Sequence, residues 1–283
     1  TPKTESWNGT NWTEVNDLNV TRTRLGGTGS NTSSLAFGGE TPPNTAATEE
    51  WNVGVALGAW VTGANGNTAR GNLAGAGTST STLAFGGFSP AFAPLNDDRT
   101  TETWDGSTWA EANDLNTARE FLAACGTATA ALAFGGEPNV ADAELWNGTN
   151  WTELNNLNTG RVKLAGSGTT TAALAFGNEA ITELWNGTNW TEVNDFNFAR
   201  NNTAGFGTQT ASLINGGQTP TRVANVEEWN GTNWSSVQDL PTTTERAAGA
   251  GTATNGLVSF GTDTAASFEW YGDGLLREII SSS

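Results

Sequence analysis

The chain has 283 residues, of which 36% are hydrophobic, and its 12 basic and 29 acidic side chains give a formal net charge of −17. A surface this acidic repels DNA and anionic membranes, so we expect neither nucleic-acid binding nor membrane insertion. There is no histidine and a single cysteine, Cys125, which excludes an intrachain disulfide, imidazole metal sites and Ser-His-Asp catalysis.

The chain begins at Thr1, without Met and without a targeting segment, so we expect a processed product or a piece of a longer protein. It contains 13 Trp and 36 Gly residues. Such a composition favours several thin layers sealed by aromatic rings over one thick core.

A tryptophan motif recurs along the whole chain. Trp-Asn-Gly-Thr-Asn-Trp occurs at 7–12, 146–151, 185–190 and 229–234, a variant occurs at 104–109, and a stretched version occurs at 51–60. The leading tryptophans are residues 7, 51, 104, 146, 185, 229 and 270. The intervals between successive leading tryptophans have the length that is typical of propeller blades and solenoid repeats.

Each repeat predicts four strands in a fixed order. A Gly/Ala-rich run such as 73–78 comes first, and a run such as Leu-Ala-Phe-Gly-Gly at 83–87 comes second. The Trp motif supplies the third and fourth strands as a hairpin. Small residues fit where blades converge on a propeller axis and wide ones fit where blades spread apart, so this order predicts a closed ring.

The hairpin itself is predicted from its Asn-Gly pair, which favours a two-residue type I′ turn. With 147–148 as the turn, Trp146 opposes Thr149 and Glu144 opposes Trp151, so the two indoles lie diagonally on one face. We expect these indoles to pack against the neighbouring blade. The predicted blade-packing residues are Trp7, Trp12, Trp104, Trp109, Trp146, Trp151, Trp185, Trp190, Trp229 and Trp234.

The number of blades follows from counting strand types. The inner pair of strands occurs six times and the third strand seven times. We therefore expect an all-β, six-bladed propeller rather than a seven-bladed one, formed by residues 1–283 as a single domain. In this prediction the N-terminal outer strands at 5–15 complete the last inner pair at 247–261 and close the ring, while 268–280 packs near the seam.

The repeat resembles the kelch repeat. Gly86-Gly87, Trp104, Trp109 and Arg119 provide one full example, although Trp stands where the third-strand Tyr of kelch repeats usually lies. The near-identical units also resemble kelch-like repeat proteins of marine bacteriophages. That resemblance implies a virion or host-attachment component, and it implies an extracellular or virion-surface location.

Arginines recur at one phase, seven residues before the same glycine of the inner strand. They are Arg22, Arg70, Arg119, Arg161 and Arg200, and the sixth repeat has Thr244 there. One interpretation is a basic ring in the central channel for a carboxylate, sulfate or phosphate. The other is a ladder of ion pairs with the glutamates two residues before each leading Trp, and the equal numbers favour it.

The loop between the second and third strands is longest at 88–99, where Phe88, Phe92, Asp97, Asp98 and Arg99 are candidate binding residues. Loops on a rigid scaffold often carry recognition, but Phe88 and Phe92 could equally fold back over the blade edge. The Asn-Asp turns offer too few oxygen ligands for calcium. We therefore expect no metal and no cofactor.

These observations predict a non-enzymatic protein. The first hypothesis is a virion-surface or tail-associated structural and host-recognition protein that binds a protein partner in an assembly or a host-surface receptor. The alternative is a secreted lectin-like module that binds glycans. A cellular substrate adaptor is disfavoured because no partner domain is attached.

Overall fold

The computed structural model describes residues 4–7, 12–15, 18–20, 22–30, 33–41, 43–52, 59–90, 98–240, 242–261, 264–271 and 275–278. Within these ranges the chain forms antiparallel β-strands and no α-helix, so it offers no helix that could cross a membrane.

Six sheets have four strands each. Sheet 1 comprises β3 (Gly26–Ser30), β4 (Ser33–Phe37), β5 (Thr48–Asn52) and β6 (Ala59–Thr62). Sheet 2 comprises β7 (Ala74–Thr78), β8 (Ser81–Phe85), β9 (Thr101–Trp104) and β10 (Trp109–Ala112). Sheet 3 comprises β11 (Ala123–Thr127), β12 (Ala130–Phe134), β13 (Ala143–Trp146) and β14 (Trp151–Glu153).

The remaining sheets follow the same order. Sheet 4 comprises β15 (Ala165–Thr169), β16 (Ala172–Phe176), β17 (Thr182–Trp185) and β18 (Trp190–Glu192). Sheet 5 comprises β19 (Ala204–Thr208), β20 (Ala211–Asn215), β23 (Val226–Trp229) and β24 (Trp234–Ser236), with a small hairpin of β21 (Gln218–Thr219) and β22 (Thr221–Arg222) inserted. Sheet 6 comprises β25 (Ala248–Thr252), β26 (Asn255–Gly261), β27 (Thr264–Tyr271) and β28 (Leu275–Glu278).

The first strands of the sheets surround a common axis. β3, β7, β11, β15, β19 and β25 contact one another in that order, and β25 also contacts β3. Each sheet then runs outward through its second, third and fourth strands. The fold is therefore a β-propeller, with the Gly/Ala-rich runs at the axis and the Trp hairpins outside.

The last sheet is built differently from the prediction. The N-terminal strands β1 (Thr4–Trp7) and β2 (Trp12–Val15) form a separate two-stranded sheet, and β27 and β28 complete sheet 6. The predicted closure by the N-terminal outer strands is therefore wrong. Sheet 6 also departs from the side-chain pattern of the repeat, because Phe268 stands at the register position that Glu144 has in sheet 3.

The Trp hairpins also differ from the predicted register. Trp146 lies directly opposite Trp151, and Glu144 lies opposite Glu153, so four residues rather than two connect the strands. The reason is the side chain of Asn147, whose Oδ1 accepts hydrogen bonds from the N–H groups of Thr149 and Asn150 at 2.9 Å. This Asx turn replaces the type I′ turn, and the paired indoles lie side by side.

Neighbouring sheets are joined by aromatic contacts. The Phe that ends the second strand of one sheet contacts the fourth-strand Trp of the next: Phe85 lies 4.7 Å from Trp151, and Phe134 lies 5.0 Å from Trp190, between ring centroids. Small residues on the inner strands make room for these rings. A Cβ placed on Gly166 would lie 2.4 Å from the Phe134 ring, so a larger residue there would displace that ring.

Candidate functional site

The arginines predicted as a possible channel ring lie inside the sheets instead. Each is at most 6% exposed and pairs with the third-strand glutamate of the sheet that follows it. The N–O distances are 2.7–3.3 Å, for the pairs Arg22–Glu49, Arg70–Glu102, Arg119–Glu144, Arg161–Glu183 and Arg200–Glu227. The interpretation as a basic ring in the channel is therefore wrong. These arginines form the ladder of ion pairs with the third-strand glutamates.

Each glutamate of the ladder also holds the loop that leads into its sheet. The second carboxylate oxygen of Glu144 accepts the backbone N–H of Asn116 at 2.8 Å. Asn19, Asn67, Asn158 and Asn197 donate in the same way to the glutamates of their sheets. Burial lowers the pKa of Arg119, and the negative charges of Glu144 and Asp142 offset part of that effect.

The predicted blade-packing tryptophans are buried wherever their side chains are described. Trp104, Trp109, Trp146, Trp151, Trp185, Trp190, Trp229 and Trp234 are at most 8% exposed. The leading Trp of a sheet donates its indole N–H to the turn of the inner hairpin, as Trp146 does to the Ala128 carbonyl at 3.1 Å. The side chains of Trp7 and Trp12 lie outside the described part of the structure.

The fourth-strand tryptophans donate to the preceding sheet, with one exception. Trp109, Trp151 and Trp234 bond the hydroxyls of Thr48, Thr101 and Thr182 at 2.8–2.9 Å. The residue at this position in sheet 3 is Ala143, which has no hydroxyl. As a result, the buried indole N–H of Trp190 has no hydrogen-bond partner in the described structure.

Only part of the candidate loop at 88–99 can be placed, because Phe92 and Asp97 lie outside the described residues. Phe88 is partly buried and pairs through its backbone with Gly71. Asp98 is 1% exposed, and its Oδ1 accepts the N–H of Thr100. Arg99 is 61% exposed and lies 3.6 Å from the Asp114 carboxylate, so it is an accessible charge among the described residues of this loop.

A second set of residues surrounds the mouth of the central channel. Two positions after each ladder arginine, or after Thr244, the backbone adopts the left-handed conformation, with φ between 53° and 58°. We call these the mouth residues: Arg24, Asn72, Phe121, Lys163, Asn202 and Arg246. The loops between second and third strands flank them, because bridges such as Thr23–Glu40 and Glu120–Glu137 join the two kinds of loop.

Backbone hydrogen bonds link the mouth residues to one another. The N–H of Asn72 donates to the carbonyl of Arg24 at 3.2 Å, and the same bond continues from sheet to sheet as far as Arg246, whose N–H donates to Asn202 at 2.8 Å. Five such bonds connect the six residues. The chain thereby holds six variable side chains around one opening.

The opening is a cavity of about 220 Å³. It is lined by the mouth residues and by apolar side chains that include Leu25, Leu73, Leu122 and Leu164. The polar groups there are unevenly satisfied. Arg24 pairs with Glu40 at 2.6 Å, but within the described ranges neither Lys163 nor Arg246 forms an ion pair.

Three buried polar atoms of the cavity lining also have no hydrogen-bond partner in the described structure: Asn72 Oδ1, Thr203 Oγ1 and Arg246 Nε. Unsatisfied buried groups are uncommon, because each costs free energy. These three atoms belong to the lining of the same cavity as two cations that form no ion pair in the described ranges, and we therefore take the mouth as the best candidate binding site. The described residues contain no group of three or more acidic, Cys or His side chains placed to hold a metal.

Sequence reasoning overlooked the mouth residues. The signal was present, since one fixed position changes from Arg to Asn, Phe and Lys while the residues around it repeat. What the sequence does not show is that this position, two residues after the arginine, faces the axis.

Comparisons with known proteins bear on the fold alone. No family model matches the chain, and no curated protein matches its sequence. Among solved structures, that described as "Structure of YjhT" is similar, with a TM-score of 0.75 and 10% identity. The similarity covers 92% of this chain and 98% of that one, so it supports the β-propeller over almost the whole length.

Proposed function

We propose that the chain is a non-enzymatic recognition protein whose binding surface is the channel mouth with the loops that flank it. The observation behind this proposal is the contrast between the mouth and the rest of the repeat. The ladder repeats one buried ion pair, whereas the mouth repeats one backbone conformation and varies its side chains. Variable side chains on a rigid frame are typical of binding sites.

A non-enzymatic role is supported by the side-chain inventory. The sequence has no histidine and a single tyrosine, and its one cysteine is buried. Burial raises the pKa of Cys125 to about 12, which makes it a poor nucleophile. The acidic side chains of the ladder are occupied by arginines, so they do not form the carboxylate pair of a glycosidase.

Within this proposal, the role we favour is that of a virion-surface or tail-associated protein that contacts a host receptor or a neighbouring protein of an assembly. It rests on the resemblance of the repeats to kelch-like phage proteins and on the strong negative charge, which suits an extracellular surface. The alternative is a lectin-like module. The amides, cations and aromatic ring at the mouth favour this alternative, because they suit a polyhydroxylated ligand.

Two measurements on the full chain separate these roles. Light scattering gives the size of the particle, and a glycan array gives its ligands. A large assembly that binds no glycan supports the virion role, whereas a monomer that binds glycans supports the lectin role. A monomer that binds neither glycans nor host cells would contradict the recognition proposal.

The location of the binding surface is tested with two variants. If a glycan or a host surface binds, Phe121→Ala at the mouth should weaken binding. Val61→Ala is the matched control, because Val61 is 55% exposed on β6 and away from the mouth. Equal binding by wild type and Phe121→Ala would place the surface elsewhere.

A further inference from the structure

The charges at the channel mouth are divided between two arcs. On one arc, Arg24 is neutralised by Glu40, and Asn72 donates its side-chain N–H to Glu120 at 2.6 Å. On the other arc, Lys163, Asn202 and Arg246 follow one another on sheets 4, 5 and 6. This second arc therefore presents a cation, an amide and a cation in sequence.

Neither cation of the second arc is balanced by a carboxylate in the described ranges. The nearby Glu245 interacts with Arg222 at 3.3 Å and accepts the Asn202 side-chain N–H at 3.2 Å. Lys163 has its Nζ 5.1 Å from the centre of the Phe121 ring, which leaves its other hydrogen-bonding directions open. Arg246 Nε is buried without a partner.

We propose that this arc binds the carboxylate of a small organic acid, with Lys163 and Arg246 on its two oxygens. The inference rests on the proposed recognition function and specifies the ligand class of its site. Charge-assisted hydrogen bonds to two cations favour an anion there, and the two oxygens of a carboxylate suit two donors that line one cavity from separate sheets.

The rest of the cavity fits the body of such an acid. Leu73, Leu122 and Phe121 provide an apolar wall, and Asn72 Oδ1 is a buried acceptor that a ligand hydroxyl can satisfy. A volume of about 220 Å³ admits a single sugar ring or a ring of similar size. A hydroxylated acid matches this combination better than an inorganic anion, which would leave the apolar wall and the acceptor unused.

The probe is glucuronate, and glucose is the neutral control because it differs by a single carboxylate. In calorimetric titrations of the full chain at low salt, glucuronate should bind and glucose should not at the same concentration. Sulfate should bind more weakly than glucuronate. Binding of glucose or sulfate as tight as that of glucuronate would overturn the assignment.

Two variants test the residues. Lys163→Gln and Arg246→Gln should each weaken glucuronate binding by about tenfold or more, the loss expected for one charge-assisted hydrogen bond. Thr191→Glu is the matched control, because it makes the net charge one unit more negative, as the mouth variants do, at an exposed position of the outer strand β18. Unchanged binding in both mouth variants, or an equal loss in Thr191→Glu, would contradict the proposal.

The glycan and host-surface measurements distinguish a failure of the carboxylate assignment from a failure of the recognition proposal. If glucuronate does not bind but Phe121→Ala still weakens an array or host-surface ligand, the carboxylate assignment is wrong and the recognition role stands. If no ligand of any kind depends on the mouth, both proposals are wrong. Thermal melting of each variant checks that folding is retained, and Lys163→Gln removes no ion pair of the described structure.

Discussion

Sheets 1–5 and sheet 6 have the same strand order but a different set of contacts. In sheet 3, for example, Arg119 pairs with Glu144, and the same carboxylate accepts the N–H of Asn116. In the sixth repeat, Thr244 stands in place of the arginine and Pro241, which has no N–H, in place of the asparagine. By strand register, Phe268 stands in place of the glutamate.

A second group of replacements follows the same logic. Leu276 lies opposite Trp270, the register position that a fourth-strand Trp has in the other sheets. The sheet 5 residue that would accept its indole N–H is Val226, where Thr182 stands in sheet 4. Sheet 6 therefore lacks the indole donor at this position, and sheet 5 lacks the hydroxyl that would accept its hydrogen bond. The comparison teaches that the last repeat has lost both partners of each of these hydrogen bonds and ion pairs, because losing one partner leaves a buried group unsatisfied, as at Trp190.

The largest expected effect is the loss of an inter-sheet indole. Trp151→Ala should lower the free energy of unfolding by about 3–5 kcal/mol, because it opens a cavity beside Phe85 and removes the bond to Thr101. Urea denaturation measures this loss. Val61→Ala, at an exposed position, should change stability by less than about 0.5 kcal/mol. A similar small change in Trp151→Ala would show that the indoles do not join the blades.

Removing half of the ladder pair should cost nearly as much. Arg119→Thr should destabilise by about 3–5 kcal/mol, because Glu144 remains buried without its cation. The triple variant Asn116→Pro/Arg119→Thr/Glu144→Phe reproduces the sixth repeat. It should cost less than the sum of the single changes, and urea denaturation of the wild type, the three single variants and the triple variant measures the coupling. Strictly additive losses would contradict the view that the pair acts as a unit.

A smaller effect is expected from supplying the hydrogen-bond acceptor that the Trp190 indole lacks. Ala143→Thr supplies the hydroxyl that Trp190 lacks, so it should raise the free energy of unfolding by about 0.5–1.5 kcal/mol. The reverse change, Thr182→Ala, leaves Trp234 without its acceptor and should lower stability. Thermal and urea melts compare the two. A loss of stability in Ala143→Thr would mean that sheet 3 has no room for the larger side chain.

The smallest effect concerns a turn that differs among the blades. Asp105 stands where other turns have Asn, and hydrogen bonds from Thr108 and Ser107 lower its pKa to about 2. A lowered pKa in the folded state gives stability that is present above the ordinary carboxyl pKa and is lost as pH falls towards 2. The difference in melting temperature between wild type and Asp105→Asn should therefore shrink between pH 5 and pH 2.5. A difference in melting temperature that stays constant over this pH range would contradict a contribution of the Asp105 carboxylate to stability.

Much of the fold could be predicted because the repeat fixes strand order. As predicted, the first strand is the Gly/Ala run, the second is the Leu-Ala-Phe run, and the third and fourth are the Trp hairpin. Strands β11–β14 are an example. The hairpin register could not be predicted from Asn-Gly alone, since the side chain of Asn147 competes with the two-residue turn. The end of the ring was missed because β28 carries Leu276 where the motif has Trp.

The candidate site was harder to predict than the fold. The arginine that recurs at one position of each repeat was easy to find in the sequence. Its side chains, however, are buried in ion pairs such as Arg161–Glu183. Two residues later, Lys163 has a left-handed backbone and lines the cavity at the channel mouth. Sequence periodicity identifies equivalent positions, but it does not tell which of them faces the channel.

The chain of backbone bonds around the mouth has a consequence for how this protein can change. Because the N–H and C=O groups of Asn72, Phe121 and Lys163 make these links, a new side chain at any of these positions leaves every link in place. Each blade can therefore alter its own sector of the opening independently. Repeats that are otherwise constrained by their shared interior can in this way diversify ligand preference one residue at a time.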